Sequence, residues 1–335
     1  MIIIATLGPS LKIRWMLQET LKSGVDVVRF NFAHGNKSEF SSALNDIKSI
    51  KHDVHILQDL AGKKIRVSNL LKEVKKVYKG DKVIFCSEDE FLELKDKQEF
   101  LIPLNIKRTD ILNDNIKDIS MKDNTMKFKA VSLATNGIIA KVINGGVIRA
   151  GKGCNIKRFR RKDFSLTEKD KKDISWGAEN SVDIVCQSFV ESADDISNLK
   201  ECIAKYKGYN PKIFAKIETE EGIKNALEII RVSDGIVIGR GDMVSETSLR
   251  EVPVDEEMII KMCKEENKDV IVGTHVLDSM INGDSANLPE LEAIFNHVKM
   301  GVSGVLLAGE TSIGRYPVKS VKFLKNIINY YERNI

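Results

Sequence analysis

Three charged residues near the middle of the chain stand at a spacing that can do chemistry. Lys216 and Glu218 are two residues apart, so on a strand both face the same side. Asp242 follows the run Gly239-Arg240-Gly241. A hard divalent cation such as Mg²⁺ (or Mn²⁺) takes one or two carboxylates from a protein and completes its octahedron with water and substrate oxygens. A lysine beside those carboxylates is costly to bury unless anions surround it. Metal and lysine together draw charge off the equatorial oxygens of a phosphoryl group in flight. Gly241 leaves room for a substrate carboxylate to approach the backbone amides that open the next helix.

More polar residues collect where short apolar runs end. One run closes on Arg29-Phe30-Asn31-Phe32-Ala33-His34-Gly35, and another on Gln58-Asp59-Leu60-Ala61-Gly62-Lys63-Lys64-Ile65-Arg66. Two later runs close on Gly273-Thr274-His275 and Gly309-Glu310-Thr311. Singly, each group has a plainer reading. Lys216 with Glu218, or Arg29 with Asp59, can be a satisfied ion pair. Asp242 can be a helix N-cap, and Thr274 can bond a core carbonyl. Cys186 reads as a small core residue, and His55, His275 and His297 as surface or packing residues. The functional reading rests on six strand ends that converge on one chemistry.

The elements that must position these ends are legible in the same runs. Apolar stretches rich in Val and Ile fall at residues 2–7, 25–32, 54–60, 182–189, 212–218, 235–241, 269–275 and 304–309. Continuous apolar runs suit strands buried on both faces of a parallel sheet. Between them lie amphipathic stretches. One starts at Ser192-Ala193-Asp194-Asp195 and carries Ile196, Leu199, Ile203 and Tyr206 at helical spacing. Another runs through Leu291, Ile294, Phe295 and Val298 and stops at Gly301, and a last helix is expected over 318–331. Eight βα units predict an α/β fold, a (β/α)₈ TIM barrel, whose strand C-termini face the site. The segment 63–162 breaks this rhythm with turn signals such as Gly80-Asp81, Asp123-Asn124 and Gly145-Gly146. It reads as a small inserted β-rich lid domain, with the barrel formed by 1–62 and 163–335.

Composition narrows the classes. The 335 residues are 42% hydrophobic and 30% charged, which is ordinary for a folded domain. A net charge of +4 gives no reason to expect a nucleic-acid partner. Five cysteines with no CxxC pair point to a reducing cytoplasmic compartment rather than a disulfide framework. No run is long enough for a membrane span or a signal peptide.

Read together, these blocks resemble the pyruvate kinase family over almost the whole chain. Thr6-Leu7-Gly8-Pro9-Ser10 resembles its first-strand signature, and residues 28–35 its second. Phe214-Ala215-Lys216-Ile217-Glu218 with Glu221-Gly222 is similar to its active-site signature, and Ser233-Asp234-Gly235 with Arg240-Gly241-Asp242 to the next block. Thr274, Leu277, Ser279 and Met280, then Gly309-Glu310-Thr311 with Tyr316-Pro317, follow the seventh and eighth patterns. The resemblance implies phosphoryl transfer from phosphoenolpyruvate to ADP, giving pyruvate and ATP. It gives the Mg²⁺ or Mn²⁺ to Glu218 and Asp242, and the phosphoryl group in flight to Lys216. Arg29 and Arg66 contact the phosphate and the nucleotide, and Asn31, His34 and Lys169 line the nucleotide side. The amides of Gly241 and Asp242 receive the carboxylate together with Thr274, which also relays a proton to the enolate carbon. Ser188 is a secondary pocket contact. Asp123, in Met121-Lys122-Asp123-Asn124, resembles the lid position over the nucleotide, although Asn124 stands where the family has Gly.

Departures from the family pattern carry expectations of their own. Ala33 and Leu60 replace two oxygen ligands of the potassium site, and neither can hold a hard monovalent cation. Lys64 stands where potassium-dependent relatives carry Glu, and its ammonium is expected to replace that ion. Ala61, Lys63 and the run Met243-Val244-Ser245 alter the loops around the pocket. The short chain is expected to lack the family's C-terminal domain and its sugar-bisphosphate activation, and to be a monomer or a homodimer. An alternative is a related enzyme of a specialised pathway that gives the phosphoryl group to another acceptor or works on a C–C bond. A non-catalytic relative fits less well, since Lys216, Glu218 and Asp242 are all retained.

Overall fold

The computed structural model describes residues 1–96, 100–111, 118–121, 124–134, 137–156, 159, 161 and 166–335. The chain divides into two compact units: Met1–Gly62 with Ser165–Gly241 and Pro253–Ile335, and Lys63–Phe164 with Asp242–Val252. The eleven residues from Asp242 therefore group with the insertion, although their sequence position lies within the sixth βα repeat.

The first unit is a closed parallel barrel. Its strands are β1 (Ile2–Thr6), β2 (Val27–Asn31), β3 (His55–Asp59), β4 (Ile184–Gln187), β5 (Lys212–Ile217), β6 (Gly235–Gly239), β7 (Asp269–Gly273) and β8 (Gly304–Leu307). They pair in sequence order around the ring, and β1 closes it against β8 with Ile4 beside Leu306. Each strand sends a side chain to one apolar cluster: Ile4, Val27, Leu57, Ile184, Phe214, Val237, Ile271 and Leu306. Strand side chains alternate with a period of two. Two residues beyond Val27, Leu57 and Phe214, on the same inward face, stand Arg29, Asp59 and Lys216. The apolar layer thus sets the direction of the charged layer at the C-terminal end of the barrel.

The connecting helices start and stop as their sequences require. Thr167 and Asp170 form a capping box at Glu168–Glu179, and Asn287 and Glu290 form one at Leu288–Met300, which ends on left-handed Gly301. The Asp195 carboxylate accepts the amides of Glu191 and Ser192 at the head of Ala193–Ile203. The last helix is Pro317–Asn334, longer at its C-terminal end than the sequence pattern predicts. Among the described residues no helix is long and apolar enough to cross a membrane.

The second unit is β-rich. Six strands, in the order Cys154–Ile156, Asp118–Met121, Met126–Ala134, Gly137–Asn144, Lys82–Cys86 and Leu101–Pro103, make one sheet. Lys75–Val77 pairs antiparallel with Gly146–Ile148. The unit has its own core, with Phe85 and Phe128 edge to face at 5.2 Å. Asn124 has φ +64°, which explains Asn where the family has Gly: it is among the residues best able to take the left-handed conformation.

Candidate active site

In the barrel unit the inward charges of β2, β3 and β5 meet on Asp59. Its carboxylate accepts Arg29 Nε at 2.8 Å, lies 2.6 Å from the second guanidinium nitrogen, and accepts Lys216 Nζ at 3.2 Å. Ser188 Oγ donates to the other carboxylate oxygen at 3.1 Å and to the Leu60 carbonyl at 2.8 Å. Burial pushes the Asp59 carboxyl up, but the positive charges of Lys216 and Arg29 outweigh it and hold the group below the usual range. For Lys216 burial acts downward, and Asp59 and Glu218 more than reverse it, so the ammonium titrates above the ordinary lysine range. The Cys186 thiol is pushed well up by burial and then by Asp59, so it stays a protonated core residue.

Glu218 lies just past β5 and is 1% exposed. Its Oε2 is 3.8 Å from Lys216 Nζ, and its Oε1 accepts the Phe189 amide at 3.0 Å. Phe189 reaches it with φ +55°, a left-handed backbone that a non-glycine residue adopts only under constraint. A Cβ on Gly239 would approach Glu218 Oε2 to 2.4 Å, so β6 must carry glycine there to leave the carboxylate its place.

Thr274 follows β7. Its Oγ1 donates to the Gly273 carbonyl at 2.5 Å and accepts the Gly241 amide at 2.9 Å. The Gly241 amide, expected from the sequence to face a substrate carboxylate, is therefore engaged by Thr274. A Cβ at Gly241 would meet Thr274 at ordinary contact distances, 3.5 Å and beyond. The packing around Gly241 thus tolerates a Cβ. Gly241→Ala is expected to melt with the wild type and to raise the KM for a carboxylate substrate about tenfold, as a methyl group pushes the ligand away. Steady-state kinetics and thermal melts check both halves.

The residues expected on the nucleotide side divide between two places. Arg29, Asn31 and His34 line a cavity of about 630 Å³ in the barrel unit, with Gly8, Pro9 and Gly309. Asn31 Oδ1 accepts the Ala33 amide, which shapes the turn that presents His34. Lys169 Nζ donates to the Phe32 carbonyl at 2.7 Å and to Asp173 at 2.5 Å, and it does not line that cavity.

In the second unit, Lys64 Nζ lies on the Asp242 carboxylate, 2.8 and 3.1 Å from its two oxygens. Asn155 Nδ2 is 3.4 Å from Asp242 and donates to Glu246 at 3.0 Å. Glu246 forms a buried pair with Arg161 at 2.7 Å. Arg66 donates to the Gly151 carbonyl at 3.0 Å, and burial lowers its pKa against the opposing pull of Asp242. Asp123 lies outside the described residues. The carboxylate oxygens of Glu218 in the barrel unit, and separately those of Asp242 in the second unit, are hard donors of the kind a divalent cation takes. Among the described residues no cluster of three or more His, Cys, Asp or Glu forms a metal cage.

Some of the site escaped the sequence. Thr6 Oγ1 accepts Arg29 at 3.0 Å and so helps to aim it, a contact signalled only by Thr6 standing two residues beyond inward Ile4. Arg240, Glu256 and His297 form a chain behind Thr274 that nothing local in the sequence marks.

Comparison with known proteins gives the family. The family described as pyruvate kinase, barrel domain, matches residues 1–321. The chain is similar to the pyruvate kinase of Clostridium perfringens (strain 13 / Type A), at 32% identity over 339 residues, covering 99% of this chain and 70% of the relative. It is 30% identical over 334 residues to the pyruvate kinases of Staphylococcus aureus strains USA300 and NCTC 8325, covering 97% of this chain and 56% of each relative. The chain thus spans little more than half the length of the latter two. With a family match that runs from β1 into the last helix, and with the charged layer of the barrel on the matched strands, the chain belongs to the pyruvate kinase family.

Proposed function

We propose that this chain transfers a phosphoryl group from phosphoenolpyruvate to ADP, giving pyruvate and ATP. The observation that carries the reading is the buried set Arg29, Asp59, Lys216 and Glu218 at the C-terminal end of the barrel, with cations and carboxylates 2.6–3.8 Å apart. Two cations on rigid strands are aimed by a shared carboxylate, so they meet an incoming phosphoryl group without reorganising. Lys216 stabilises that group in transit and the enolate it leaves, and Arg29 steadies the phosphate. The carboxylate is received at Gly241 and Asp242, where it would take over the Gly241 amide from Thr274, Thr274 holds the proton that reaches the enolate carbon, and Ser188 keeps Asp59 oriented. The nucleotide lies against Asn31 and His34, with Arg66, Lys169 and Asp123 as further contacts from the resemblance. Glu218 and Asp242 would hold the divalent cation that the resemblance implies, and that ion would add positive charge against the substrate oxygens. The reaction belongs in the cytoplasm.

An assay coupling pyruvate to lactate dehydrogenase, with phosphoenolpyruvate, ADP and Mg²⁺, tests this directly. Turnover of about 1–1000 per second is expected. Binding of phosphoenolpyruvate and metal without turnover on ADP overturns the reading and turns attention to another acceptor.

Potassium is not required on this reading. Ala33 and Leu60 offer no side-chain oxygen, and Lys64 carries a fixed positive charge. Full turnover is expected with tetramethylammonium as the sole monovalent cation. A steep rise on adding potassium chloride contradicts it.

A further inference from the structure

We infer that Arg240 is a positioning residue that clamps the backbone of Thr274 in a strained conformation, and that buried Glu256 and His297 hold Arg240 in place. The inference rests on the proposed role of Thr274.

Thr274 and His275 are consecutive left-handed residues, with φ +65° and +54°. Two adjacent non-glycine residues in that region, the first of them β-branched, persist only where the surroundings over-determine them. Arg240 does so from the head of the helix after β6. Its Nε donates to the Thr274 carbonyl at 3.0 Å, and one terminal nitrogen donates to the carbonyls of both Thr274 and His275, the latter at 2.9 Å. One planar fork therefore grips two successive carbonyls in a fixed geometry that a flexible ammonium does not impose. The same strained turn presents Thr274 Oγ1 to the Gly241 amide at 2.9 Å.

The guanidinium is held from behind. Its remaining nitrogen faces Glu256 in the helix Val252–Glu265 at 3.5 Å, and the other Glu256 oxygen faces His297 Nε2 at 2.7 Å. His297, in the helix Leu288–Met300, is 2% exposed. The carboxylate fixes the tautomer, with the proton on Nε2 pointing at Glu256. Burial raises the Glu256 carboxyl, and His297 and Arg240 more than offset it, so it stays anionic beside the arginine. Two buried side chains from two further helices thus hold a half-buried arginine against one strained pair of residues, and none of the three belongs to the charged layer around Asp59.

Arg240→Ala is expected to lower kcat about 100-fold, the usual scale for about 1 Å of misplacement at a reacting group, with a smaller change in KM. Guanidinium chloride at non-denaturing concentration should restore part of that activity, and sodium chloride should not. Glu256→Gln, a milder change, is expected to move kcat in the same direction by a smaller factor. Amide hydrogen exchange of a peptide spanning 273–278 gives a readout independent of phosphoryl transfer, and it should quicken in both variants. Unchanged exchange and kcat in both variants, or rescue by sodium chloride as well as by guanidinium, overturns the clamp. Quickened exchange in a protein whose wild type shows no turnover with ADP leaves the clamp standing and removes the proposed reaction instead.

Discussion

Replacing Lys216 with methionine is expected to cut turnover about 10³-fold or more, a loss of about 4 kcal/mol of transition-state stabilisation, while metal binding survives. The two halves follow from how the cluster is wired. Methionine fills most of the lysine's volume and leaves the apolar stem against the barrel interior. Asp59 keeps Arg29 at 2.6 Å and Ser188 at 3.1 Å, so it is not orphaned. Glu218 keeps the Phe189 amide at 3.0 Å, so the carboxylate that would hold the cation stays in place. What disappears is one ammonium, 3.2 Å from Asp59 and 3.8 Å from Glu218, in a place from which water is largely excluded. Arginine is no substitute, because its fork needs a different set of acceptors. The coupled assay reads the first half, and Mn²⁺ titration of the free enzyme by calorimetry reads the second. Surviving activity sinks the mechanism offered here. Lost activity together with lost metal affinity shows that Lys216 acts on the carboxylates instead.

The contrast between what was readable and what was not has a physical basis. The barrel was legible because each buried parallel strand is a short, continuous apolar run, and eight recur between amphipathic stretches. The direction of Lys216 and Glu218 was legible because a strand's period of two is local. Asp59 as a counter-ion was half legible, since its pairing with Arg29 comes from neighbouring strands, although 30 residues separate them. The rest depends on distant pairings with no periodic signature. Lys64 meets Asp242 across 178 residues, so a lysine expected to replace potassium stands on a carboxylate expected to hold the divalent metal. The grouping of Asp242–Val252 with the insertion comes from packing alone. His297, read from sequence as a surface or packing residue, is buried against Glu256 across 41 residues. A lone histidine on a helix says nothing about a carboxylate on another.

Asp59→Asn is expected to destabilise the fold by about 3–5 kcal/mol at neutral pH. Asp59 is 2% exposed and is the common counter-ion of Arg29 and Lys216. Asparagine preserves its shape but leaves two buried cations facing a neutral amide, and breaking one side of a buried charge set costs more than the set contributed. Denaturant melts should show a lower midpoint with an unchanged slope. The pH dependence separates charge from shape. The folded pKa of Asp59 lies below its unfolded value of about 3.8, so its stabilisation is complete above roughly pH 4–5 and is lost as pH falls through the folded value. The gap between wild type and variant should therefore be constant from neutral pH down to that window and narrow on further acidification. Added phosphate should stabilise the variant more than the wild type, because the two cations then lack a resident anion. A gap that stays constant into strong acid means that the loss is steric, and a variant as stable as the wild type means that Arg29 and Lys216 do not depend on Asp59 for their burial.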